Sequence, residues 1–504
     1  MQTLIFSDIL QPGYGKNAGA YRVATELRDN GFTCQVVDFF THFTIEEIFA
    51  IIDKFVDKDT LWVGVSTTFF FPFERDSDIK QIKLLGLGDV DPITNWHSAY
   101  PFDAPTMKEI FKYIKSKNKQ TKIIVGGGRV REAQNHDALI NGVYADFYIE
   151  GFADESIVVF TKWLQDKSNP VPIFSGWFYN IIDSNHNYDY QHFNTSKIKY
   201  IHNDIIERDE YIPIEIARGC VFKCKFCNFP LLGKKRGDYT KTKETLVEEF
   251  IRNYELFGTT NYMFMDETIN DSMEKVEFVH DVITTLPFKI KWGSFARIDL
   301  YYNNPDMAPM LQETGMAHTQ FGIETFNKKS GEAIGKGMHP DKVKEILSNL
   351  KSQWKSDVRI TSGFVLGLPH ETKETIDNLE KYLLSDQCGL DAWNLYPLIL
   401  MDGLPSMFGQ DPKKYGYQHL TNDSLEWQNE HMTFTEAKDI AHKIRTNTMH
   451  LCKVYNWNHI RVQNLGYSEA EVDAMTLESY TKSIREIWSR LKIKKDIYFK
   501  ALMQ

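Results

Sequence analysis

Three cysteines fall in the run Ala217-Arg-Gly-Cys-Val-Phe-Lys-Cys-Lys-Phe-Cys-Asn228, while Cys34, Cys388 and Cys452 are scattered through the 504 residues. Six cysteines in so long a chain do not form a disulfide framework, and a tight trio more often binds metal. Thiolates spaced CxxxCxxC can ligate three irons of a [4Fe–4S] cubane and leave the fourth iron open to chelate a substrate. A structural zinc site would need a fourth Cys or His, and the nearest downstream histidine is His280. Cys220, Cys224 and Cys227 are therefore the expected metal ligands.

The trio follows an apolar strand, 212–217, and four further motifs follow it: Phe264-Met-Asp-Glu-Thr268, the stretch from Trp292 to Arg297, Gly322-Ile-Glu-Thr325, and Gly367-Leu-Pro-His-Glu-Thr372. Together, over about 210–400, they resemble the radical S-adenosylmethionine (SAM) superfamily, whose signature also carries an aromatic, here Phe226, before the last cysteine. The resemblance implies a [4Fe–4S] cluster and SAM as cofactors, a 5′-deoxyadenosyl radical, and a one-electron reductant such as flavodoxin or ferredoxin. It also nominates cofactor-binding residues. Asp266 and Glu267 can accept hydrogen bonds from the methionine ammonium, or form a solvated pair at a loop. Glu324 can bind the ribose or the methionine end, or make a structural salt bridge. Arg297 can fork onto the methionine carboxylate. Phe226 can stack near adenine or fill the core. One departure is His370, where the family usually has glycine.

The elements that must position these residues alternate strand and helix. Strands are expected at 212–217, 262–265, 291–295, 318–323, 359–366 and 392–397, with helices such as 243–257 and 341–354 between them. Six βα repeats predict a partial TIM-like barrel over 211–404, with its chemistry at the C-terminal ends of the strands. Ahead of it, strands at 4–7, 34–40, 61–66, 122–125 and 145–150, a turn at 12–15 and helices at 18–29 and 45–55 predict a doubly wound, Rossmann-like α/β domain over 1–165. An irregular stretch runs over 74–104, and 166–210 reads as a polar linker. The last region, 405–504, reads as mainly helical, with capping boxes at Thr433–Glu436 and Ser468–Glu471. It is expected to cap the barrel or shape the substrate pocket.

The order of the two domains resembles the cobalamin-binding class of the superfamily. Ile124-Val-Gly-Gly-Gly128 and Tyr148-Ile-Glu-Gly151 with Glu155 are similar to that class's later strands, where glycines let backbone approach a corrin or its nucleotide tail. The Asp-x-His-x-x-Gly motif does not occur, so no histidine is nominated as a cobalt ligand. The resemblance implies cobalamin as a further cofactor and methyl transfer to an unactivated carbon. The other readings are a radical enzyme of another type, such as an epimerase or a cyclising enzyme, and a non-catalytic metal-binding interaction protein.

The bulk numbers bound these readings. A net charge of −10 argues against a protein that coats nucleic acid. The N-terminus lacks a basic leader, and the apolar run 61–73 is too short for a membrane span, so a cytoplasmic location is expected. Eight basic residues lie between Arg218 and Lys243, a rim able to attract an anionic substrate or simply a solvated face. The substrate, a small molecule or a peptide, is not legible.

Overall fold

A computed structural model describes residues 1–8, 15–68, 104–128, 130, 145–174, 181–184, 190–229, 231–400, 406–420, 426–454, 460 and 462–504. Of the expected turn at 12–15 only Gly15 lies among them, and of the irregular stretch 74–104 only Ala104.

The first domain is a six-stranded parallel sheet: β1 (Thr3–Phe6), β2 (Cys34–Val37), β3 (Trp62–Ser66), β4 (Lys122–Gly126), β5 (Phe147–Glu150) and β6 (Ile181–Asp183), in the order β2-β1-β3-β4-β5-β6. Helices cover it: α1 (Ala18–Asp29), α2 (Ile45–Phe55), α3 (Ala104–Lys117) and α4 (Asp154–Gln165). Helices on both faces explain why β1 and β2 are wholly buried and read as apolar runs rather than alternations. The sequence sets the helix starts. Asn17 accepts the Gly19 N–H at 3.1 Å, and Thr44 with Glu47 forms a reciprocal box.

The stretch 166–210, expected as a linker, contributes β6, which pairs in parallel with β5. Three residues among polar neighbours carry no periodicity to read. The same stretch is tied to α1, since Arg28 forks onto Asp204 at 2.7 and 2.8 Å.

The second sheet also has six parallel strands, in strictly sequential order: β7 (Ile212–Glu215), β8 (Asn261–Met265), β9 (Lys291–Ala296), β10 (Met316–Glu324), β11 (Arg359–Leu366) and β12 (Ala392–Pro397). Its helices include α5 (Lys243–Phe257), α6 (Met273–Thr284), α7 (Met307–Glu313), α8 (Lys328–Ile334), α9 (Pro340–Trp354) and α10 (Lys373–Leu383). This is the expected (β/α)6 partial barrel. Alternate residues separate its faces. Phe321 packs outward on Tyr301 and Trp354, which turns Gln320 and Gly322 inward.

The C-terminal region divides. Helix α11 (Phe434–Thr448) backs the barrel, where Trp393 Nε1 donates to Thr448 Oγ1 at 2.9 Å. Helix α12 (Ile484–Met503) leaves the barrel and closes the core of the first domain. Its Ile487, Leu491, Tyr498 and Leu502 pack with Phe43, Ile48 and Ile52, and Lys495 pairs with Glu47 at 2.8 Å. The expectation that the whole tail serves the barrel is therefore corrected for α12. No described helix is long and apolar enough to cross a membrane.

Candidate functional site

The cysteine loop leaves β7 at the C-terminal edge of the barrel. Gly219 has φ +76°, and a Cβ there would lie 2.5 Å from the Leu231 carbonyl oxygen, so only glycine fits the approach. The Cys220 N–H donates to Leu231 O at 3.1 Å, and Cys220 O accepts from Gly233 at 2.6 Å and Lys234 at 3.3 Å. Cys227 N–H turns back onto Cys224 O at 3.1 Å. Cys220, Cys224 and Cys227 are all partly exposed and line one cavity of ≈ 370 Å³.

Burial pushes the Cys227 thiol up to about 11. Arg297 donates toward Cys224 Sγ at 3.7 Å, a cation set beside a ligand that must lose its proton to bind metal. Among the described residues no three His, Cys, Asp or Glu side chains converge as ligands of a single ion. Three thiols spread along one cavity wall fit a larger inorganic group facing that cavity.

Every nominated cofactor residue lines the same cavity, and their partners differ. Asp266 is held in a buried ion pair with Lys275 at 2.7 Å and accepts the Thr268 N–H at 2.9 Å. Glu267 beside it has a buried Oε2 without a hydrogen-bond partner. Burial, reinforced by the Asp266 charge, pushes its carboxyl up to about 7. Arg297 is forked onto its own neighbour Asp299 at 2.9 and 2.6 Å and lies 4.0 Å over the Phe222 ring, so its guanidinium already has a carboxylate. Glu324, at φ +67°, pairs with Lys336 at 3.0 Å. Phe226 joins Phe222, Phe229 and Phe295 in an aromatic lining.

Among the lining residues that escaped the sequence reading, four bear on the chemistry. Gln320 stands two positions before Gly322 on the inward face of β10, and its Oε1 is buried without a hydrogen-bond partner; the strand period could have found it. Thr268, 3.3 Å from Cys220 Sγ, sits inside a motif already quoted. Lys336 and Phe152 carry no sequence signal.

A second cavity of ≈ 200 Å³ opens at the carboxyl ends of β3, β4 and β5. This is where ligands bind in open α/β sheets, beside the reversal of strand order. Gly126, Gly127 and Gly151 line it with Ser66, Thr68 and the start of α1. A Cβ on Gly127, at φ +103°, would lie 2.8 Å from the Thr67 nitrogen. The glycine-rich, mostly apolar lining fits a flat ring system or a nucleotide tail pressed on backbone.

The two cavities share Phe152, Glu215 and Arg218 as lining. Arg218 bonds Asp154 of α4 and Glu215 of β7 (2.7 Å to the latter) and stacks at 4.7 Å on Phe152 and 4.6 Å on Phe193. Asp154 in turn lies 3.6 Å from Arg22 of α1.

These features define an α/β protein with a cysteine-lined barrel mouth abutting a doubly wound domain. Residues 214–383 match the family model of the Radical SAM superfamily. That domain implies a [4Fe–4S] cluster and SAM.

More particularly, the chain is 26 % identical over 196 residues to an uncharacterized methyltransferase of Pyrococcus horikoshii, covering 38 % of this chain and 41 % of that protein. It is 21 % identical over 294 residues to the bacteriochlorophyllide d C-8(2)-methyltransferase of Chlorobaculum tepidum, covering 55 % and 61 %. It thus spans less than two thirds of the length of each. Among solved structures, the radical SAM methyltransferase TsrM from Kitasatospora setae, with tryptophan substrate and a SAM analogue bound, superposes with a TM-score of 0.61. The identity is 11 %, and the match covers 97 % of this chain and 99 % of that one. The cobalamin-dependent SAM radical enzyme OxsB superposes with a TM-score of 0.52 at 15 % identity, over 82 % and 56 %. At these identities the likeness is one of fold.

Proposed function

We propose that this protein is a cobalamin-dependent radical SAM enzyme that transfers a methyl group to an unactivated carbon. The observation that carries the reading is the shared wall of the two cavities, Phe152, Glu215 and Arg218, which supports a SAM site lying directly against a cobalamin site. The fold shared with TsrM and OxsB supports it, as do relatives named as methyltransferases. When bound, the cluster with SAM supplies a 5′-deoxyadenosyl radical, and cobalamin carries the methyl group.

The chain's own residues bind, orient and exclude water. Cys220, Cys224 and Cys227 ligate iron. Glu267, with its open acceptor, takes the methionine ammonium, while Asp266 and Lys275 hold the loop that presents it. Glu324 and Lys336 face the cavity as a pair suited to the ribose or the methionine end. Phe222, Phe226 and Phe295 keep the site apolar. The substrate enters between the cavities. The protein is expected to need a one-electron reductant.

Anaerobic purification with iron reconstitution and hydroxocobalamin, followed by metal analysis, tests the reading. About four irons per chain with stoichiometric cobalt is the expected result. The same iron without cobalt would favour a radical enzyme whose first domain is scaffold. Zinc without iron would overturn the reading.

A further inference from the structure

Apart from Arg218, the basic stretch beside the cysteines is not used by the site just described. Half of its eight cations are engaged. Arg218 bonds Asp154 and Glu215, Lys241 pairs with Glu249 at 2.7 Å, Lys243 with Asp281 at 2.8 Å, and half-buried Lys234 donates to Asp238 O at 2.9 Å. The remaining four, Lys223, Lys225, Lys235 and Arg236, have no ion-pair partner among the described residues, and all but Lys225 are exposed.

Two lysines distant in sequence join them. The Phe408 N–H donates to Lys225 O at 3.1 Å and the Ser406 N–H to Asn228 Oδ1 at 3.2 Å, which fixes the segment 406–415 against the cysteine loop. Lys225 and Lys414 each stand 5.8 Å from the Tyr415 ring, and exposed Lys413 is adjacent. On the other side, Lys223 lies across Gly233, next to Lys235 and Arg236. The nearby acids are few. Asp238 is half-buried, Glu332 is exposed, exposed Glu274 feels the charge of Arg236, and Asp411 turns its carboxylate to the Lys414 N–H at 3.3 Å. Two apolar side chains near these cations are exposed, Phe229 at 55 %, which also borders the barrel-mouth cavity, and Met407 at 41 %.

Two contrasts decide what this face is for. The chain as a whole is acidic, 68 carboxylates against 58 cations, so a local surplus of unpaired cations departs from its surroundings. None of the six cations lines the barrel-mouth cavity, so they do not serve a small anionic substrate inside it. Lys223 and Lys225 alternate in sequence with the three cysteines, and Lys413 and Lys414 belong to the segment hydrogen-bonded to that loop. An apolar centre with a charged rim is the anatomy of a transient protein interface, and opposite charge steers encounter more than it adds affinity.

We propose that this face, Lys223, Lys225, Lys235, Arg236, Lys413 and Lys414 around Phe229 and Met407, docks an acidic one-electron carrier protein of the flavodoxin type. The inference rests on the cluster reading of Cys220, Cys224 and Cys227. In the step it serves, one electron leaves the carrier, which is oxidised by one equivalent, and the cluster is reduced by one. No bond is made or broken.

The test uses the iron-loaded full chain and reduced flavodoxin. Two double variants, K235E/R236E and K413E/K414E, lie outside the cysteine loop and both cavities. Flavodoxin affinity, measured by calorimetry at low salt, is expected to fall about tenfold or more in each, with the difference shrinking as salt rises. Cluster bleaching by flavodoxin in stopped flow is expected to slow in parallel, while bleaching by reduced methyl viologen is not slowed. Unchanged flavodoxin affinity with normal viologen bleaching would overturn the docking face alone. Loss of binding to an RNA oligonucleotide with flavodoxin affinity intact would overturn it in favour of nucleic acid. Absence of bleaching by viologen in the unaltered protein would remove the cluster reading, and the proposal with it.

Discussion

Two carboxylates side by side, Asp266 and Glu267, are equivalent in the sequence and opposite in the structure. Lys275 takes Asp266 into a buried pair, and Glu267 is left with an open oxygen facing the cavity. The sequence could not choose between them, because Lys275 lies a loop away, on α6. The cysteine trio, by contrast, has a local spacing that the sequence displays, and the three side chains line one cavity. The displaced carboxyl of Glu267 gives a sign to test. Its folded value, about 7, is above the ordinary 4.5, so the folded state holds a proton that the unfolded state has lost. Stability of the ligand-free protein is therefore expected to fall as pH rises from 4.5 to about 7, and E267Q should lack that slope in denaturant titrations. An ammonium ligand selects the ionised form. SAM affinity is expected to rise over the same interval and level off above it. E267Q should bind about tenfold or more weakly, as loss of a charged hydrogen bond of about 1.5–3 kcal/mol requires, with a flat profile. A pH profile unchanged by E267Q would remove Glu267 from the ammonium role.

At the scale of elements, the strands of the barrel were read almost to the residue, because parallel strands buried on both sides form apolar runs bounded by turns. Strand β11 ends at Leu366 as expected, and the turn after it shows why a departure from family pattern is tolerated. His370 adopts φ +64°, the left-handed region in which glycine is at ease. The turn nonetheless closes. The Gly367 N–H donates to Glu371 Oε2 at 2.6 Å, and the Glu371 N–H to Leu368 O at 3.1 Å. H370G should therefore be neutral to about 1 kcal/mol stabilising, and H370V destabilising by more than that, since a β-branched side chain fits this region worst. Equilibrium denaturation of the two variants checks the order, and a destabilised H370G would show that the imidazole itself holds the turn. Gly219 is the stricter case. G219A places a methyl group against the Leu231 carbonyl, so the loop must shift, and iron content after reconstitution is expected to drop well below that of the parent. What the sequence hid at this scale was β6, too short for any period, and the destination of α12, whose apolar stripe does not say which of two cores it will join.

A buried charge network joins the two domains at the wall between their cavities. Asp154 begins α4 of the first domain, yet its carboxylate reaches Arg218 of the cysteine loop as well as Arg22 of α1. The two arginines hold that carboxyl below the ordinary carboxylate value despite its burial. Its contribution to stability is thus present at neutral pH and lost only as pH falls through that lowered value. No sequence pattern announces this contact, since the partners are 64 residues apart and belong to separate periodic units. Removing one member strands the others away from water, which costs about 3–5 kcal/mol for a buried pair. D154N should therefore lower the midpoint of thermal unfolding sharply, and R218M should do the same by exposing the complementary deficit. The informative quantity is the double variant D154N/R218M. If the pair couples the domains, the double variant loses less than the sum of the singles, with an interaction energy of about 1–3 kcal/mol in a double-mutant cycle. Calorimetry should then resolve the two domains melting apart. Strict additivity with a single transition would mean that α12 and the packed helices hold the domains together. Arg218 would then be left only as a lining residue of the two sites.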